Sequence, residues 1–76
     1  MIKRLILFLV RRKLGLKKYE DFRFANQKHP YNYYFVDGDG IWKCEPDINT
    51  VRYRLSNVSL NYLLSDQCEV VKVKWE

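Results

Sequence analysis

The sequence predicts an α+β fold: an N-terminal helix packed on a small antiparallel sheet with a central hairpin, then a short second helix and a C-terminal strand. Three observations carry this. Apolar residues recur at helical spacing from Ile2 onward. Two apolar runs, Tyr33 to Val36 and Ile41 to Cys44, flank the turn sequence Asp37-Gly38-Asp39-Gly40. Between Ser59 and Val71 the hydrophobic period changes, with Leu60, Leu63 and Leu64 at helical spacing and alternation from Cys68 onward. The 76 residues have room for one domain, 1–76, and a 47% hydrophobic content offsets the cost of ordering it.

The first helix is expected from Ile2 to about Lys18. Ile2, Leu5, Ile6, Leu9 and Leu16 fall on one side, while Arg4, Arg11 and Lys18, seven apart, form a stripe on the other. Leu7, Phe8, Val10 and Leu14 widen the apolar arc, so this helix is expected to touch two surfaces, its own sheet and a partner subunit. Gly15 is a candidate terminator, because glycine tolerates the left-handed conformation just past a helix end. A first strand is expected over Asp21–Ala25, and Asn26 to Pro30 reads as a loop, since proline drives His29 out of the α region.

The hairpin follows, its Asp-Gly pairs supplying the positive φ that tight turns need. Glu45-Pro46-Asp47 is expected to break the ladder. Val51 to Leu55 then alternates, with Val51, Tyr53 and Leu55 expected inward and Arg52 and Arg54 outward. Ser59 or Asn57 should cap the short helix. The last strand is expected from Cys68, with Cys68, Val70, Lys72 and Lys74 on one face and Glu69, Val71, Val73 and Trp75 on the other.

The net charge of +5 belongs to one end. Residues 1–18 hold 7 of the 14 Lys and Arg and no acid, a local +7; the other 58 residues hold 7 bases against 9 acids, a local −2. Such asymmetry points to an anionic partner for the N-terminus. The apolar run Leu5–Val10, closed by Arg11-Arg12-Lys13, is too short to span a bilayer and lacks a small-residue cleavage site, so a cytoplasmic protein is expected; a membrane is not an expected partner, a basic amphipathic helix resting on its surface being only a third reading. Cys44 and Cys68, each inside an apolar run, are expected to be buried reduced thiols, a Cys44–Cys68 disulfide being the alternative if their strands are neighbours in an oxidising compartment.

Motifs for catalysis are missing: there is no P-loop, dinucleotide fingerprint, nucleophile elbow or pair of histidines, and the spacing around Asp37 and Asp39 fails for an EF-hand. The expectation is a non-enzymatic protein with no metal and no cofactor. Binding has more support. Tyr33, Tyr34 and Trp42 are rings that can stack on a base, and Lys43, Arg52 and Arg54 are cations that can meet phosphates, together a wall for a flat anionic ligand.

The stretch Ser59-x-x-x-Leu63-Leu64-Ser65-x-x-Cys68-Glu69-Val70-Val71 resembles the C-terminal signature of small phage proteins that include the Thoeris anti-defence 2 family, Ser-x-x-x-Leu-Leu-Ala-x-x-Trp-Glu-Val-Val. It covers 13 residues, and Cys68 stands where that family has tryptophan. The resemblance implies an oligomeric counter-defence protein that sequesters a cyclic ADP-ribose-type immune signal without catalysis. A homo-oligomer binding a nucleotide between subunits, in the host cytoplasm, is therefore the leading expectation. The alternative is an inhibitor of a host defence protein, or a nucleic-acid-binding module, acting through the basic stripe Arg4, Arg11 and Lys18.

Overall fold

The computed structural model describes residues 2–75 and has the α+β architecture that the sequence predicts. Helix α1 (Ile2–Leu14) is followed by strands β1 (Phe22–Phe24), β2 (Tyr33–Val36), β3 (Ile41–Pro46) and β4 (Val51–Leu55), a one-turn helix α2 (Leu60–Leu63) and strand β5 (Val70–Lys72). The strands form one antiparallel sheet in the order β4-β3-β2-β1-β5, with the β2–β3 hairpin near the middle and the chain's last strand alongside its first.

Helix α1 ends four residues before Lys18. Gly15 has φ +71°, the Leu16 N–H donates to the Arg11 carbonyl at 2.8 Å and the Gly15 N–H to the Arg12 carbonyl at 3.3 Å, the paired bonds of a Schellman cap. The cap turns Leu16 back into the core, where it is 7% exposed, and leaves Lys18 outside the helix. The helical face that packs on the sheet takes only part of the apolar side that the spacing picks out. Leu7 and Val10 are the buried pair, supported by Ile6 and Leu14, whereas Ile2, Leu5 and Leu9 point outward and are exposed. A helix that is apolar nearly all round gives its sequence no way to say which arc meets the sheet.

Cross-strand register assigns each side chain to a face. On the covered face Phe22, Tyr34, Val36 and Ile41 meet Leu7, Val10, Leu16, Leu63 and Cys68, with Phe24, Tyr62 and Val70 at the margin. Phe22, Phe24 and Tyr34 form a ring cluster, with centroids 4.8 to 5.8 Å apart. The hairpin turn is held by Asp37, whose carboxylate accepts from the Asp39 and Gly40 N–H groups at 2.8 and 3.1 Å and from the Trp42 indole at 2.9 Å. Ser59 caps α2, its hydroxyl accepting from the Tyr62 N–H at 3.4 Å.

Three further expectations are corrected. Pro46 does not break the ladder but pairs with Val51 at its end, where the missing N–H is tolerated. In β4, Tyr53 and Leu55 are 58% and 51% exposed: alternation separates two sets of side chains, but on an edge strand beyond the helix neither set is buried. The last strand begins at Val70, not Cys68, and Val71 is exposed; Cys68 lies in the preceding turn with its thiol in the core. Cys44 and Cys68 are both free and buried, and two strands stand between β3 and β5.

Candidate functional site

Among the described residues, no helix or second sheet covers the face of the sheet away from α1. Alternation places Arg23 on it from β1, Tyr33 and Phe35 from β2, Trp42 and Cys44 from β3, and Tyr53 and Leu55 from β4. Trp75 folds over this face from beyond β5. Its indole N–H donates to the Asp21 carboxylate at 2.7 Å, and its ring meets Tyr33 edge-on at 5.1 Å. Phe35 stacks on Trp42 with centroids 6.3 Å apart and ring planes 15° from parallel, and Tyr19 leans on Phe35 at 5.9 Å.

A groove of about 580 Å³ opens on this surface, lined by Arg23, Tyr31, Tyr33, Ile48, Val51 and Trp75, with Pro46 and Asp47 at its rim. Each wall has a local cause. Gln27 staples the loop that carries Tyr31, accepting from the Phe24 N–H at 2.9 Å and donating to the His29 and Asn32 carbonyls at 2.6 and 2.7 Å. Asp47 holds the β3–β4 turn that presents Ile48, its N–H donating to the Thr50 carbonyl and its side chain accepting from the Ile48 N–H, both at 2.7 Å. Arg23, at the centre of β1, has a buried Nε to which no described protein group offers an acceptor. The ion pairs among the described residues are Arg54–Glu45 and Lys72–Glu20, so Arg23 is not neutralised by either. The groove therefore combines ring faces, an aliphatic wall and one guanidinium, a combination that takes a planar ligand with an anionic edge. Among the described residues, no three His, Cys, Asp or Glu side chains gather as a metal site would require.

The six ligand-binding residues expected from sequence do not share one surface within a chain. Tyr33 and Trp42 lie on the open face, and of these only Tyr33 lines the groove. Tyr34, Lys43 and Arg54 sit in register across β2, β3 and β4 on the opposite face, where they border a separate depression with Ser56 and Asn57. Tyr34 is buried, its hydroxyl pushed to a higher pKa by loss of solvent, and Arg54 is bound to Glu45 at 3.0 Å. Arg52 faces the same side opposite Glu45. Adjacent residues in a strand point to opposite faces, so the rings at 33 and 34 of one chain cannot stack on the same base. Of the basic stripe, Arg4 and Arg11 are on α1, and the Arg11 guanidinium lies 5.9 Å from the Phe8 ring centroid. Arg23, Tyr31, Ile48 and Trp75 were not among the expected residues. Alternation against Phe22 and Phe24 was the available signal for Arg23; for Ile48 it was an isolated apolar residue between turn formers.

Cys44 is fully buried beneath the open-face rings, flanked in register by Tyr33 and Tyr53. Loss of solvent and the nearby Asp21 charge push its thiol up to about 11, against the pull of the Tyr33 hydroxyl. Burial, with Cys44 and Tyr53 close by, likewise raises Tyr33 to about 12. The sign follows directly: a thiol whose pKa is higher folded than unfolded has no effect below its ordinary value of 9.0 and destabilises the fold as pH rises from there toward 11. The melting temperature should fall across that window, and the Cys44→Ala variant should show a shallower alkaline decline in the same scan.

Comparison with protein-family models, curated proteins and solved structures returns no match.

Proposed function

We propose that this chain is a non-enzymatic binding protein that takes a nucleotide-type signal molecule into the open-face groove and sequesters it, in the manner of a phage counter-defence protein. The observation that supports this most is the Arg23 side chain, a cation with an unbonded buried Nε, in a groove walled by Tyr31, Tyr33 and Trp75. The base stacks against the rings and the phosphate edge meets the guanidinium, which binds such oxygens through two parallel N–H groups. The counter-defence role itself rests on the likeness of residues 59–71 to the phage family.

A homo-oligomer belongs to the same proposal. Strand β4 ends the sheet with Tyr53 and Leu55 exposed, next to Ile48 at 95% exposure on the groove wall, so a second copy docking there would close the groove. Action in the cytoplasm belongs to the same proposal.

Titration calorimetry against linear and cyclic nucleotides, with cyclic ADP-ribose among them, tests the proposal. Binding is expected to give heat and to stabilise the fold by about 2.7 kcal/mol at a ligand concentration one hundred times Kd. No heat and no thermal shift for any member would overturn it.

A further inference from the structure

The outward face of α1 is the second unpartnered surface, and it is unlike the groove in every respect. Ile2, Leu5, Phe8 and Leu9 are 76%, 58%, 47% and 45% exposed, large side chains that the fold leaves in water although α1 has already buried Leu7 and Val10 against the sheet. At 3.6 residues per turn Ile2, Leu5 and Leu9 form one line with Phe8 beside it. Arg4 and Arg11 border this line on one flank and Lys13 on the other, with Arg12 between Phe8 and Leu5. The Lys13 ammonium reaches the Ser65 carbonyl. The segment carries +7 with no acidic residue before Glu20.

Charge decides the occupant. A second copy meeting this face through its own α1 would bring two +7 segments together, and the like charges oppose that pairing. An apolar line edged by cations has its complement in a surface that is apolar beneath and anionic at the top. We infer that α1 lies in the headgroup layer of an anionic bilayer, with Ile2, Leu5, Phe8 and Leu9 entering the acyl boundary and Arg4 and Arg12 at the lipid phosphates. No helix among the described residues is long and apolar enough to cross the membrane, so the contact is peripheral. The inner leaflet of a cell membrane has the required negative surface. The groove lies on the other side of the sheet from α1, so a docked molecule keeps it open to solution.

Co-sedimentation with vesicles tests this independently of nucleotide binding. The whole protein is expected to bind vesicles of phosphatidylglycerol and phosphatidylcholine and to leave them as salt is raised, while vesicles of phosphatidylcholine alone bind it about tenfold more weakly or worse. Leu5→Gln with Leu9→Gln, both at exposed positions, should fold as the parent does by circular dichroism and lose binding to the anionic vesicles by about tenfold or more. Absence of binding to anionic vesicles at low salt would overturn the inference. Undiminished binding by the double glutamine variant would overturn it too, since cations alone would then account for the attachment. A dimer in solution that Leu5→Gln and Leu9→Gln dissociate would do the same, by showing that a second copy covers the face.

Discussion

Replacing Phe22 by alanine is expected to cost about 3–5 kcal/mol, a large share of what holds a chain of this size folded. Phe22 has no exposed surface and opens β1, the strand that joins β2 to β5. Its ring meets Phe24 edge-on at 5.4 Å and lies 5.8 Å from Tyr34, so truncation removes the hub of the aromatic cluster and leaves a cavity that a three-residue strand cannot close. At 0.05–0.15 kcal/mol per residue a chain of this length holds roughly 4–11 kcal/mol in total, so one side chain carries a large share. Phe22→Leu, which keeps most of the volume, should cost less than about 1.5 kcal/mol. Urea unfolding followed by circular dichroism measures both; a Phe22→Ala midpoint close to the parent's would show that the sheet is not centred on this ring.

Arg23→Met should act in opposite directions on binding and on stability. Methionine keeps the unbranched apolar stem but removes a guanidinium whose buried Nε has no described partner. An unpaired buried polar group is a cost to the fold, so the variant should be as stable as the parent or more so. The same substitution takes away the one cation that lines the groove among the described residues, and a hydrogen bond to a charged group is worth about 1.5–3 kcal/mol, or about 10-fold to 150-fold in affinity. Thermal denaturation paired with calorimetry reads both quantities on one sample. Arg23→Lys should recover only part of the binding, because an ammonium lacks the two-pronged geometry. A variant that loses stability and binding together would mean that Arg23 supports the sheet and does not serve a ligand.

Much of the fold was legible because its signals are local. The Asp37 to Gly40 turn, the glycine at 15 and the change of period after Ser59 each name a conformation through the chemistry of a few neighbouring residues. What the sequence withheld is which side of an element faces the core. Tyr33 and Tyr34 illustrate it: both are tyrosines in one strand, and only the packing of Leu7 and Val10 above β2 makes the second a core residue and the first part of a groove. The same ambiguity split the expected apolar side of α1 between core and solvent and left β4 without a buried side. The groove was harder still, because Arg23, Tyr31, Ile48 and Trp75 are brought together only by register across strands far apart in sequence.

The place of β5 beside β1 also sets the order in which the sheet can close. Phe22 pairs with Lys72 and Phe24 with Val70, so β1 is complete only when β5 has docked. Until then one edge of β1 has no partner, and α1 with its exposed leucines has only a partial sheet to rest on. A pairing of long sequence separation is thus the one that finishes the sheet, and its closure entropy is met before its reward.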